Sequence, residues 1–313
     1  MNLEKMNLEK MNLEEMNQND GYCLWFGAAE HTGLKEFIHH SGYEQIIVVD
    51  PRQEIVNALQ QWLDDRGLHG RVTVHCSHVE DFLAPNYVAS CVVYAGSLAG
   101  NTSSESISTA YKSVRPYGGV LAIPTLLNRD PVLQDTDLKQ LEQVVVLDKT
   151  YGLLLKKEGG LPGSADWTHQ YGDVANTIKS NDSRVKLPLG VLWFGGSSHM
   201  DVLPRHGHGP PEQVVGGRLF IQGIDCLSAR DVYTGRVLWK KVFKDLGTFD
   251  VYYDSTFEDV PLNPKYNQVH IPGANGRGTN YVVTEDRIYI AAGDKCYVLD
   301  STSGEKVLTI PLP

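Results

Sequence analysis

The sequence predicts a multidomain protein, an α/β module built on a parallel sheet followed by an all-β module. Three observations predict it. Between residues 21 and 157 apolar strands alternate with amphipathic helices, the pattern of a parallel sheet with helices on its faces. The stretch Gly159-Gly160-Leu161-Pro162-Gly163 reads as a linker. Beyond it the helical periodicity ends, and one strand-and-turn unit occurs at 213–241 and again at 280–310. The expected boundaries are 1–20 for a repetitive flexible tail, 21–157 for the first module and 158–313 for the second.

The tail repeats MNLEK, MNLEK, MNLEE. A five-residue period matches neither helix nor strand, so its Met and Leu residues form no apolar stripe. The first module opens with a short apolar strand at 22–26 and a brief helix at 34–40, ended by Ser41-Gly42. Residues 45–49 are a continuous β-branched run, as in a buried parallel strand. Asp50-Pro51 then reads as a helix opening, with Asp at the N-cap and Pro in the first turn. That helix should carry Ile55, Leu59, Trp62 and Leu63 on one face and stop at Gly67. Strands are expected at 72–76, 91–94 and 120–123, a helix at 106–114, and a closing antiparallel hairpin from 144–147 and 153–156. Gly118-Gly119 reads as a turn before a strand.

In the second module each repeat runs from a short strand through a turn, an apolar strand, a second turn and a third strand ending in Asp. Then come x-x-[ST]-Gly and a further apolar stretch. Four-stranded units of this kind point to propeller blades. The Asp-x-x-[ST]-Gly element is a turn signature. The stretch 243–278, rich in Asp, Asn, Pro and Gly, reads as a long loop inserted between the two repeats.

Bulk properties exclude several function classes. The 313-residue chain carries a net charge of −10 and a pI near 5.5, which argues against nucleic acid as a ligand. No apolar run is long enough for a membrane span. The N-terminus lacks a charged-then-apolar leader, so the sequence as written points to the cytoplasm. The five cysteines, Cys23, Cys76, Cys91, Cys226 and Cys296, show no C-x-x-C spacing. They read as buried thiols beside strands.

The repeats resemble those of quinoprotein (PQQ-type) β-propellers, on Asp231, Thr234, Gly235 and Trp239 in the first and Asp300, Ser303 and Gly304 in the second. The segment 166–196, with Trp167, Tyr171, Gly172, Asp173 and VKLPLGVLWFGG, resembles the opening strands of such a propeller. The expectation is therefore a partial propeller, needing further blades, a second copy or another subunit to close. A quinone cofactor is not expected from it: Trp167, Trp193 and Trp239 read as blade core.

Residues 21–157 resemble a class I S-adenosylmethionine (SAM) methyltransferase, a Rossmann-like fold. The resemblance rests on LWFGAAEHTG, on the VVDP that ends in Asp50-Pro51, on SISTAYKSVRPYGGVLAI and on the terminal hairpin. It implies SAM as the cofactor to test, with Gly27, Ala29 and Asp50 as the binding positions. The family's Gly-x-Gly-x-Gly aligns with residues 27–31, of which only Gly27 is glycine. Ala29 adds a methyl where backbone should approach the ligand, and His31 disfavours a positive φ. Asp50 could accept hydrogen bonds from the ribose hydroxyls or cap a helix, and both roles stay open. Ser77 or His78 stands where the family has an acid after the third strand, with Glu80 and Asp81 just beyond. YAGSLAGN, after the fourth strand, offers no acid or base.

One polar cluster, HMDVLPRHGHGPPE, places His206 and His208 either side of a glycine, near His199 and Asp201. Alternating histidines on an extended segment could hold a metal; the competing reading is a loop whose histidines bond a neighbouring blade, and no metal is expected. Three functions follow. The first is a binding or scaffold protein with a degenerate methyltransferase-like module and a protein partner. The second is an active SAM-dependent methyltransferase whose propeller recruits substrate. The third is a fragment of a PQQ-dependent oxidoreductase. The lost glycines favour the first.

Overall fold

The computed structural model describes residues 21–29, 33–95, 103–124, 141–148, 152–196, 201–203, 211–243, 246 and 280–313. The repetitive tail, His31, most of YAGSLAGN, His206, His208 and nearly all of the stretch read as an inserted loop lie outside the described residues. The chain divides into two compact units, Met1–Leu161 and Pro162–Pro313.

The first unit runs β1 (Tyr22–Phe26), α1 (Leu34–His40), β2 (Gln45–Asp50), α2 (Gln53–Asp64), β3 (Val72–Cys76), β4 (Ala89–Tyr94), α3 (Ser104–Lys112), β5 (Val120–Pro124), β6 (Val144–Asp148) and β7 (Gly152–Lys157). These strands form one Rossmann-like mixed sheet of seven, in the order β3-β2-β1-β4-β5-β7-β6. The pairs among β1 to β5 are parallel, while β7 lies antiparallel to both β5 and β6. The hairpin expected from the sequence is present, with its second strand inserted next to β5.

Both faces of the sheet's central strands are buried, as their near-continuous apolar runs require. Cys23, Trp25, Ile46, Val48 and Cys91 pack with Leu34 and Ile38 of α1 and Leu59 and Leu63 of α2. Leu24, Phe26, Val92, Tyr94 and Leu121 pack on the other face with Ile107, Ala110 and Tyr111 of α3. Ser103 caps α3, its hydroxyl accepting from the Ser106 amide at 3.0 Å.

Three expectations are corrected here. Asp50 is the last residue of β2 and does not cap α2; the cap position belongs to Arg52, in extended conformation and with no side-chain capping bond. The Asp50 carboxylate is spent on Ala28 and Arg52 and so does not serve the helix amides. The buried face of α2 is Val56, Leu59 and Leu63, one step round from the expected Ile55 edge. Trp62 borders it, half-buried, with the Arg66 guanidinium 4.6 Å above its ring. Cys76, at the end of β3, is exposed rather than buried.

The second unit holds two four-stranded antiparallel meanders. One is β8 (Gln213–Val215), β9 (Arg218–Gly223), β10 (Cys226–Asp231) and β11 (Val237–Val242); the other is β12 (Tyr281–Val283), β13 (Arg287–Ala292), β14 (Lys295–Asp300) and β15 (Lys306–Pro311). They coincide with the two sequence repeats. Phe220, Leu227, Ala229 and Trp239 of the first sheet share one core with Tyr281, Ile288, Ile290 and Leu299 of the second. The buried amide of Gln213 ties the sheets: it donates to the Tyr281 carbonyl at 2.9 Å and accepts from the Val283 amide at 2.9 Å.

The two repeat turns are built alike. The Asp231 carboxylate accepts from the amides of Tyr233 and Thr234, and that of Asp300 from the amides of Thr302 and Ser303. Each turn ends in a left-handed glycine, Gly235 with φ +72° and Gly304 with φ +68°, covered by an indole. A methyl on Gly235 would meet the Trp193 ring at 2.3 Å, and one on Gly304 the Trp239 ring at 2.6 Å. The indole nitrogens donate to the carbonyls of Val232 and Ser301, at 2.9 and 3.1 Å. Residue 308, at the same offset from Gly304 as Trp239 from Gly235, is an exposed Leu on β15.

The segment 166–196 does not form the expected opening strands. Its described pairing is limited to the bridges Trp167–Val214 and His169–Gly172. Val185, Leu187, Leu189, Val191 and Phe194 are largely exposed. Pro188 and Gly190 interrupt this stretch, and both weaken a ladder.

Candidate functional site

Ligands of open α/β sheets bind beyond the carboxyl ends of the strands where the strand order reverses. Here that point lies between β1 and β4, because the chain crosses to β2 on one side of β1 and later to β4 on the other. The loop after β1 and the end of β2 supply the described part of the site.

Gly27 leaves β1 with φ +90°. Its amide donates to the Val49 carbonyl at 2.9 Å, and its carbonyl accepts from the Trp25 indole at 2.7 Å. The next amide, Ala28, donates 2.7 Å to Oδ2 of Asp50. Ala29 follows, half-buried. Gly27 and Asp50 are thus brought together, with Ala29 one residue beyond the amide that joins them.

Asp50 is fully buried, and its carboxylate is saturated. Oδ1 accepts from the Arg52 amide at 3.0 Å and from Arg52 Nε at 2.9 Å. Oδ2 accepts from Arg52 Nη2 at 2.7 Å as well as from Ala28. A carboxylate offers about four acceptor positions, and all are taken. Burial pushes this carboxyl up. The Arg52 side chain, the Ala28 amide and the Arg52 amide outweigh that and hold it below its ordinary value. The Asp50 side chain closes an Asx-type turn with Arg52, two residues on, in place of capping α2. Arg52 is the residue that sequence reasoning missed, and the signal was Asp-Pro-Arg itself.

The positions after β3 point elsewhere. The Ser77 amide donates to the Asp50 carbonyl at 3.2 Å, and the Ser77 hydroxyl to the His78 carbonyl at 3.0 Å. The Glu80 carboxylate accepts from the Ser106 hydroxyl of α3, which holds it below the usual carboxylate value. Gly118-Gly119 is a turn: a methyl on Gly119 would stand 2.4 Å from the Arg115 carbonyl oxygen. Among the described residues, every acceptor position of Asp50 is occupied by Ala28 or Arg52, so a pair of ribose hydroxyls would have to displace one of these partners.

Among the described residues no group of three or more His, Cys, Asp or Glu side chains could hold a metal, while the candidates His206 and His208 lie outside them. Among the described residues no helix is long and apolar enough to cross a membrane.

No family model matches the chain, and no curated protein matches it. Solved structures similar to it include a SAM-dependent methyltransferase from Aquifex aeolicus, at 15% identity over 50% of this chain and 92% of that one, with a TM-score of 0.40. Another is the [4+2]-cyclase SpnF, at 18% identity, covering 47% of this chain and 58% of that one, TM-score 0.35. A third is the YcgJ protein from Bacillus subtilis, at 13% identity, covering 38% and 50%, TM-score 0.33. The chain thus spans between half and three fifths of the last two. The Rossmann-like class rests on the sheet order itself.

Proposed function

We propose that this chain is a binding or scaffold protein: a methyltransferase-like unit without methyl transfer, joined to a unit built as blades of a partial PQQ-type propeller that holds no quinone. The observation that carries the first half is the saturated carboxylate of Asp50. To bind a ribose there, SAM must displace the Arg52 side chain. Hydrogen bonds to a charged group are worth about 1.5–3 kcal/mol. Arg52 is 43% exposed, so screening trims this value. A loss of one to two decades of affinity is the expected result, about 1.4 kcal/mol per decade.

The repeated stacking of Trp193 on Gly235 and Trp239 on Gly304 supports the blade reading. Its extension names the partner's chemistry. A further blade carrying an Asp-x-x-[ST]-Gly turn would lay its glycine on Leu308.

An active methyltransferase is the second reading, and the strand reversal between β1 and β4 with Gly27 at φ +90° favours it. A thermal-shift series separates the two. Millimolar SAM should leave the melting temperature of the native chain within error and should raise that of Arg52→Ala. A shift of several degrees in the native chain, lost in Asp50→Ala, would establish the second reading instead.

A further inference from the structure

Strand β10 alternates two faces. Leu227 and Ala229 enter the core shared by the two sheets, so Cys226, Ser228 and Arg230 line the opposite face. Ser228 pairs with Lys240 on β11 and with Ile221 on β9, which places the Lys240 side chain on this same face. The segment 201–203 lies over it. The Leu203 amide donates to the Gln222 carbonyl at 2.9 Å, and a methyl on Gly223 would stand 2.7 Å from the Asp201 Cα. The Asp201 carboxylate is taken by the Lys240 ammonium.

Arg230 is only 4% exposed, and its Nε and Nη2 have no hydrogen-bond partner among the described residues. Arginine does not deprotonate in proteins, so this is a buried charge. Buried charges are paired as a rule, and one left unpaired is strongly unfavourable. Asp201 acts on it through space but spends its close contact on Lys240. Burial keeps the Cys226 thiol protonated by raising its pKa. Among the described residues the cluster therefore holds two cations and one anion.

The unpaired atoms are themselves informative. Nε and Nη2 form one edge of the guanidinium fork, which matches two oxygens of one anion. Arg52 uses this same edge on Asp50, at 2.9 and 2.7 Å. Among the described residues no carboxylate lies on this edge of Arg230.

We propose that the second unit binds a small oxyanion, a phosphate or a carboxylate, between Nε and Nη2 of Arg230, with Lys240 supplying the outer charge. Ser228, opposite Lys240 and two residues before Arg230 on the same strand, donates to the Ile221 carbonyl at 3.3 Å. Its hydroxyl oxygen can only accept further, so it contributes no donor to the anion.

The test is hydrogen exchange on the full chain, read on peptides of β9 to β11, in inorganic phosphate, acetate or chloride at matched ionic strength. Phosphate should slow exchange there about tenfold at ten times its Kd and leave β1 to β5 unchanged. An equal effect of acetate marks a general carboxylate and phosphate site; an effect of phosphate alone marks a phosphate site. Arg230→Met should abolish the response. Should Arg230→Met fail to fold, Lys240→Met, at a half-exposed position, should weaken it at least several-fold. Exchange that is the same in all three salts, or a response kept in full by Arg230→Met or by a folded Lys240→Met, overturns the proposal.

Discussion

Replacing Gly304 by Ala tests how the second unit is held together. The position has φ +68°, and the added methyl would meet Trp239 Cε3 at 2.6 Å and Cδ2 at 2.8 Å. Two costs follow. A left-handed backbone costs a non-glycine residue about 1–2 kcal/mol. Overpacking costs about 1–3 kcal/mol, and Trp239 cannot swing aside cheaply, because it is buried and its indole nitrogen donates to Ser301 at 3.1 Å. The sum is roughly 2–5 kcal/mol by those two scales. Gly293 supplies the control. Its φ is +58°, yet nothing lies within 4 Å of a methyl there. Gly293→Ala should therefore lose only the backbone part, about 1–2 kcal/mol. The assay is urea-dependent hydrogen exchange on peptides of β12 to β15, which isolates this unit from the other. Equal losses in the two variants, within about 0.5 kcal/mol, would refute the claim that the indole–glycine stack stabilises the unit, since independent surface changes lie within that range.

Three further outcomes follow from the same structure. Thr302 first, then the Ser303 amide, hold the Asp300 carboxyl down to about 2. Its stabilising contribution should therefore be complete above the ordinary carboxylate pKa of about 3.9 and be lost as pH falls towards about 2. Near-ultraviolet circular dichroism between these limits should show a transition that Asp300→Asn flattens, and an unchanged transition would contradict it. Gln213→Ala should leave the Tyr281 carbonyl and the Val283 amide unsatisfied, at about 1–3 kcal/mol each; a loss under about 1 kcal/mol in urea melts would mean that water replaces the amide freely. Ser103→Ala should cost about 0.5–2 kcal/mol as a lost helix cap, with Ser103→Asp retaining most of the stability, and equal melts for all three proteins would remove the capping role.

The strands of the first unit were legible because their apolar runs are continuous and punctuated by Gly, Pro and Asp; β1 and β3 match the expected bounds residue for residue. The repeats were legible because Asp231-x-x-Thr234-Gly235 and Asp300-x-x-Ser303-Gly304 are local turn chemistry, formed by bonds within a few residues. The segment around VKLPLGVLWFGG misled because an apolar run makes a strand only where a partner edge exists, and among the described residues none pairs with it. The same limit applies at the site. Asp50 was found from its place after a buried strand, but its partners were hidden, since whether Arg52 turns back onto it is a matter of side-chain direction. The unpaired edge of Arg230 was invisible for a like reason. An arginine in a strand carries no sign in sequence of being covered.

In the function proposed above, Arg52 takes the place on Asp50 that a SAM ribose would use. Equilibrium dialysis of the full chain against labelled SAM tests it most directly, run beside Arg52→Ala. The account predicts a Kd in the millimolar range or weaker for the native chain, tightened tenfold or more in the variant, in line with about 1.4 kcal/mol per decade. A micromolar Kd in the native chain, unchanged by Arg52→Ala, would contradict it.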